Sequence, residues 1–279
     1  MRLSELGELG LLGELEQRGL AHRIGDDAAQ LPDGLVVTQD ALVEDVHFRL
    51  AWTSWRDLGY KAAAVNISDL SASAARPFAL VVSLGAPPET RLEDVLELYA
   101  GLNEAGVEIV GGDTTQAERL YLSVTALGRS ARVPGRAGAV PGDLLVVTGP
   151  LGGSGAGFRA LRDGVESPQI AAHLRPPLRV EEGLRLGAVA HAMIDVSDGL
   201  APDAGHLAQR SGCRLVIDLE QVPRAGELAD LGFGEDYELL AATPDPLDLP
   251  VIGRCEWGAG VELRLGGEPV ELGGWEHFA

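Results

Sequence analysis

The chain has 279 residues, 46% of them apolar, and 42 acidic against 22 basic side chains give it a formal net charge of −20. That length supplies ample core for one large domain or two moderate ones. No apolar run approaches the eighteen or more residues of a membrane span, and no basic footprint is present to pair with nucleic acid.

The N-terminal leucines Leu3, Leu6, Leu9, Leu12 and Leu15 mark an acidic docking helix rather than a signal peptide, which needs a basic start and an unbroken apolar stretch. Two cysteines, Cys213 and Cys255, are too few for a disulfide framework, so a cytoplasmic protein is expected. After Ile24-Gly25-Asp26-Asp27 a hairpin leads into a short β-rich run, residues 36–40. Residues 60–70, YKAAAVNISDL, are the best helix former in the first third of the chain. The helix carries on through residues 71–77, and apolar groups nearly all round it predict burial. Asn66, Asp69 and Ser73 share one stripe of it, and Asp57 is expected to cap it.

Residues 78–84 predict a buried strand, and residues 90–106 an amphipathic helix with Leu92, Val95, Leu96 and Tyr99 at helical spacing. A strand at 107–110 is expected to break at Gly111-Gly112-Asp113, and residues 121–127 alternate as a strand. The segment 129–142, rich in Gly, Pro and Arg, predicts a domain boundary, dividing the chain into 1–137 and 138–279. The second half reads as a strand at 143–148, a flexible glycine-rich turn at 149–157 and a helix from Phe158. A long helix around 180–192, another at about 202–211, and strands at 215–218 and 238–242 follow. The turn at 149–157 lacks the Lys-Ser/Thr of a Walker loop. Strand-then-helix alternation with hairpin returns predicts a mixed α/β (α+β) fold. In the tail, Trp275-Glu276-His277-Phe278, the tryptophan reads from the sequence as an anchor on the core.

Asp26/Asp27, Asp40, Asp69, Asp113, Asp195/Asp198 and Glu235/Asp236 each follow a short apolar strand, sit by a glycine turn or lie on the buried helix. Taken singly, such an acid is more often a cap or turn residue. Repeated through one chain, the pattern points to a shared cleft, where close like charges repel by roughly 4 kcal/mol per pair. Cations must then be present. All-oxygen ligands select hard ions, Mg²⁺ first where phosphate is near, and such ions would let so acidic a protein receive a phosphorylated molecule. His47 has no histidine partner at zinc spacing. Arg136 reads either as an exposed linker arginine or as a clamp on a nucleotide phosphate. Neither cysteine has a neighbouring His or a basic cluster that would activate it.

Taken in order from Gly25 to the tail, IGDDAA, TQDALVEDVHF, YKAAAVNISDLSASAARP, GGDTT, MIDVSDGL and GEDYEL resemble the thiamine-monophosphate kinases. The resemblance implies a two-domain aminoimidazole ribonucleotide synthetase-like fold. Its N-terminal domain would bind metal and ATP and pair in a homodimer, and its C-terminal domain would close over the cleft. It implies ATP-dependent phosphorylation of thiamine monophosphate to thiamine diphosphate, assisted by Mg²⁺. By position, Asp27, Thr38, Gln39, Asp40, Asp69, Asp113, Asp195 and Asp198 would hold metal, with Asp40, Asp69 and Asp113 at the reaction centre. Gly112, Asp113, Arg136 and Ser197 would meet the nucleotide, and His47, Glu235 and Trp275 the thiamine phosphate. Two residues depart from the family pattern. Gln39 stands where Thr is usual, so a metal contact there needs the backbone carbonyl, and Phe233 replaces a glycine beside the pocket. Phosphoryl transfer onto an already ionised phosphate oxygen needs positioning and charge neutralisation rather than a general base, so direct in-line transfer is expected. The alternatives are another ATP-dependent enzyme of the superfamily, aminoimidazole ribonucleotide synthetase-like or hydrogenase-maturation-like, and an acidic metal-binding protein without turnover. The hydrogenase-maturation type depends on cysteine chemistry near a terminus, a position where this chain has none.

Overall fold

A computed structural model describes residues 2–22 and 24–275; the side chain of Leu9 and the tail Glu276-His277-Phe278 lie outside the described residues. Helix α1 (Leu3–Gln17) kinks at Gly7, where φ is 70°. The first lobe then runs β1 (Ala29–Gln30), β2 (Leu35–Val43), α2 (Trp55–Ala72), β3 (Arg76–Ala86), α3 (Leu92–Glu104), β4 (Glu108–Gln116) and β5 (Tyr121–Arg129). Its five strands lie in the order β1-β2-β5-β3-β4, antiparallel except for the parallel pair β3/β4.

The second lobe begins with β6 (Leu144–Val147), α4 (Gly153–Asp163), α5 (Ile170–Leu174), α6 (Val180–Gly187), β7 (Ala192–Asp195) and α7 (Leu200–Ser211). It ends with β8 (Arg214–Asp218), β9 (Leu239–Thr243), β10 (Val251–Glu256), β11 (Gly260–Leu265) and β12 (Glu268–Val270), the last three of which the sequence reading did not anticipate. A seven-stranded sheet in the order β12-β11-β8-β10-β6-β9-β7 results, so the fold is mixed α/β in two lobes.

Helix α2 joins the lobes. Ser54, not Asp57, is its N-cap: the Ser54 hydroxyl accepts the Asp57 N–H at 3.0 Å and donates to the Asp57 carboxylate at 2.7 Å. Ala62, Ala63, Ile67 and Leu70 pack with the first sheet, whereas Ala72 and Ala74 belong to a cluster with Val146, Leu186, Met193, Leu239 and Ala241 of the second lobe. Burying a side chain such as Ile67 or Leu70 contributes about 1.5–3 kcal/mol. The helix ends earlier than its alanines suggest, because Ala74 adopts φ 50° and β3 starts at Arg76.

Three glycine-rich stretches behave differently from the sequence expectation. Strand β4 shifts register against β3 at Val110 but continues through Gly111-Gly112-Asp113, pairing as far as Gln116. A Cβ at Gly112 would sit 1.8 Å from the Val82 carbonyl oxygen, so the glycine permits the close approach of the two strands. Helix α4 starts at Gly153, within the expected flexible turn, and a Cβ at Gly157 would lie 2.2 Å from the Gln169 carbonyl oxygen. The helix expected over 180–192 ends at Gly187, which abuts Ala74; the Arg132 guanidinium takes the Gly187 and Ala190 carbonyls, and the chain turns into β7.

Candidate active site

Period-two alternation along β2 turns Val36, Thr38, Asp40 and Leu42 toward α2 and leaves Gln39 on the opposite face. The Thr38 hydroxyl donates to Asp69 Oδ2 at 2.5 Å, and the Asp40 backbone N–H donates to Asn66 Oδ1 at 3.0 Å. Gln39 accepts from the Thr125 hydroxyl at 2.9 Å, so its side chain is turned away from the acids and only its backbone carbonyl is left for a metal role.

From the second lobe, β7 ends on Asp195, which accepts from the Ser68 hydroxyl of α2 at 2.6 Å. One carboxylate oxygen from each of Asp27, Asp69 and Asp195 lies within 4.8 Å of the others. Burial drives the Asp69 carboxyl well above the ordinary range, reinforced by repulsion from Asp40, Asp195 and Asp27 and opposed by the Thr38 hydroxyl. Asp195 is pushed up to about 8, first by burial and then by Asp27, against the Ser68 hydrogen bond and Arg136. Asp27 is raised by burial and held down by Arg136, whose Nε donates to Asp27 Oδ1 at 3.0 Å and whose Nη2 donates to it at 2.5 Å. Arg136 is therefore no exposed linker residue: it anchors on the acid cluster, and its backbone N–H donates to Asp26 at 2.8 Å.

Beside these acids opens a cavity of about 520 Å³ lined by Asp40, His47, Asp69, Ser197, Asp198, Glu235 and Trp275, among others. His47 Nδ1 accepts the Val43 N–H at 3.1 Å. Asp203 Oδ2 accepts the backbone N–H groups of Ser197, Asp198 and Gly199 at 3.0–3.1 Å and so shapes the loop after β7. Asp198, Asp203 and His206 also offer ligand atoms within 4.8 Å of one another. The Trp275 backbone N–H donates to the Asp198 carbonyl at 2.9 Å, and the tryptophan, half exposed, lines the cavity instead of being anchored in the core.

The GEDYEL stretch divides its work. Asp236 accepts from Gly152 N at 2.6 Å and Ser154 N at 3.1 Å, which makes it a cap for α4; burial still lifts it to about 6. Glu238 is buried and gripped by Arg179. Glu235 and Tyr237, both at positive φ, face the cavity. Phe233 stacks on Phe158 with centroids 4.8 Å apart and forms part of the wall. Gly112 and Asp113 join neither the acid cluster nor the cavity lining of this chain: they lie on the exposed strand β4. Lys61, Ser68, His173 and Asp203 take part in the site although the sequence reading assigned them no role; Lys61 and Ser68 lie inside the quoted helix motif, His173 and Asp203 outside every motif. Lys61 could have been found, since it stands two helical turns before Asp69 on the same face of α2.

Family models for AIR synthase related proteins match both halves, the N-terminal domain over residues 25–130 and the C-terminal domain over 140–253. A thiamine-monophosphate kinase of Aquifex aeolicus is 37% identical over 100% of this chain and 100% of its own. One of Escherichia coli is 34% identical over 98% of both chains. A solved structure described as AaThiL complexed with AMPPCP and TMP superposes with a TM-score of 0.91 at 36% identity, covering 99% of each chain. The Escherichia coli hydrogenase maturation protein HypE has a TM-score of 0.72 at 21% identity over 95% of this chain and 96% of its own, a likeness of fold alone.

Proposed function

The chain belongs to the thiamine-monophosphate kinase family of AIR synthase related proteins, and from that premise we propose that it transfers the γ-phosphoryl group of ATP to thiamine monophosphate. The observation that carries the reading is the convergence of Asp27, Asp69 and Asp195, from three separate stretches of sequence, on one point beside a cavity of about 520 Å³. The relative solved with AMPPCP and TMP supports the same pair of substrates.

The donor set fits magnesium: the clustered groups are carboxylates, hard oxygen donors whose mutual repulsion calls for a cation. Asp27, Asp69 and Asp195 would hold it, with Asp40, Asp198 and the Gln39 backbone carbonyl as further candidates. Bound there, the ion would offset the charge of two phosphorylated reactants. Thr38 and Ser68 hold Asp69 and Asp195 in place through their hydroxyls. Arg136, already turned to the cluster, supplies a guanidinium that can pass from Asp27 to a nucleotide phosphate. A terminal phosphate oxygen of thiamine monophosphate attacks the γ-phosphorus in line, the bond to the β,γ-bridging oxygen breaks, and ADP leaves. The attacking oxygen is already ionised, so no side chain has to remove a proton.

Homodimerisation belongs to the same proposal. Strand β4 ends its sheet with an almost wholly exposed nine-residue edge, and Val110 is 56% exposed on it. Such an edge calls for a cover, and a second copy placed there would enclose Gly112 and Asp113. Sedimentation at equilibrium would give twice the chain mass; a monomer at micromolar concentration would contradict it.

The functional test is ADP release on adding thiamine monophosphate to protein with Mg·ATP, with thiamine as the control acceptor. Release with the monophosphate alone is expected, and no release with it would overturn the reading. Incubation with γ-labelled ATP and no acceptor should leave the protein unlabelled; a stable phosphoprotein would contradict direct transfer.

A further inference from the structure

Lys61 is 3% exposed, a lysine carried on the middle of a buried helix. Its Nζ lies 3.1 Å from Glu235 Oε2, so the pair bridges the two lobes across the cavity. The same carboxylate oxygen lies 3.3 Å from His173 Nδ1, which is also 2.9 Å from the Ser154 hydroxyl. Burial and the nearby ammonium hold His173 down at about 4, so at neutral pH its ring is uncharged and the positive charge at Glu235 is that of Lys61. Both contacts fall on Oε2.

Lys61 and Asp69 both line the cavity. Eight residues apart on one helix, they stand about 12 Å apart along its axis. The cavity therefore has two poles. The acid cluster forms one. The other is Glu235 with an aromatic wall: the rings of Phe158 and Phe233 lie 5.8 and 6.0 Å from His173, and Trp52 packs edge-on to Phe158 at 5.7 Å. A wall of that kind beside a carboxylate suits a flat, electron-poor or amino-bearing ring. The carboxylate can serve only if its direction is fixed. Glu235 sits at φ 55° in a tight turn, its N–H bonded to the Ser197 carbonyl at 2.7 Å, and the hydrogen bond from Lys61 sets where its side chain points.

We propose that Lys61 is a positioning residue: by gripping Glu235 from the opposite lobe, it fixes the pole that selects an acceptor with an aromatic, cationic or amino-bearing group at the end remote from its phosphate. This inference rests on the functional reading above. Lys61 acts through Glu235, contributes nothing to phosphoryl transfer itself, and leaves the nucleotide end of the cavity untouched.

The test is a double-mutant cycle on the full chain with Lys61→Met, Glu235→Gln and the double variant. It reads KM for thiamine monophosphate, KM for ATP, kcat and melting temperature. Lys61→Met should raise KM for thiamine monophosphate roughly tenfold or more, the loss expected when a charge-assisted contact is misdirected. KM for ATP should stay within about twofold. In the Glu235→Gln background the same substitution should have little further effect, since the group it orients has already lost its charge. A merely structural lysine would instead move both KM values and the melting temperature in either background. An unchanged KM for thiamine monophosphate, or fully additive effects, overturns the proposal. Should Lys61→Met fail to fold, Lys61→Gln keeps an amide at the site without the charge and carries the same comparison. A wild-type chain that neither phosphorylates thiamine monophosphate nor binds it, followed by quenching of Trp52 and Trp275 fluorescence, overturns the functional reading and this one together. A wild-type chain that turns it over while Lys61→Met behaves identically overturns this one alone.

Discussion

Asp69 shows how a single residue can be costly to the fold and necessary to the chemistry. It lies half-buried among Asp27, Asp40 and Asp195, and the neutral hydroxyl of Thr38 donates a hydrogen bond to it. Asp69→Asn should lower kcat by on the order of a hundredfold or more. In metal-free buffer near neutral pH the same change should raise stability by about 1 kcal/mol, because a buried repulsion is gone. Near-normal activity in the variant would remove Asp69 from the metal set. Asp195 extends the argument to pH. Its unfolded value is 3.8 and its folded value about 8, so the native state prefers it protonated. That contribution is complete below about pH 4 and is lost as pH climbs through about 8. The metal-free melting temperature should therefore fall from about pH 5 to about pH 8, the Asp195→Asn variant should flatten the slope, and magnesium should oppose it. A melting temperature that rises over that interval without metal would contradict the assignment. These aspartates were legible because each sits in a distinctive short motif. Ser68, which holds Asp195, was not, since a serine inside an alanine-rich helix looks like filler until the other lobe is in place.

Helix α2 was readable from composition, but its packing depends on glycines whose role only the fold reveals. A Cβ on Gly59 would lie 1.9 Å from the Leu98 carbonyl oxygen, and one on Gly101 would lie 1.8 Å from that of Arg56, so α2 and α3 cross at backbone contact. Gly59→Ala should cost about 2 kcal/mol or more by overpacking. Gly205→Ala, in α7, meets nothing within 4 Å and should stabilise by about 0.5–1 kcal/mol. Thermal melts of the two variants test the contrast, and equal shifts would contradict the close crossing. The same property misleads the sequence reading elsewhere. Glycines suggest breaks and flexibility, yet at Gly111-Gly112 they sit inside β4, and from Gly153 onward they form the first turns of α4. Acids at turns misled in both directions: Asp57, expected to cap α2, yields that place to Ser54, whereas Asp236, grouped with the cleft acids, caps α4.

At the level of the molecule, the last strand of the first sheet ends at Arg129 and the second sheet begins at Leu144. What no local pattern conveyed is that α2 belongs to both lobes, or that the chain returns three strands, β10, β11 and β12, to the second sheet. Among the described residues no helix is long and apolar enough to cross a membrane. Because acids from both lobes meet at one point, ligands that bridge them should stabilise the whole. Mg²⁺ with AMPPCP at a hundredfold excess over its dissociation constant should add about 2.7 kcal/mol. Either component alone should do less, because the phosphates and the metal satisfy each other as well as the protein.

A crystal of the full chain grown with AMPPCP, thiamine monophosphate and manganese in place of magnesium would report on the acid cluster directly, since anomalous scattering locates the ion. Manganese bonded to carboxylate oxygens of Asp27, Asp69 and Asp195, with the phosphates of both reactants beside it, is the predicted result. Manganese bound elsewhere, with Arg136 still on Asp27 and Asp69 still satisfied by Thr38 alone, would contradict it.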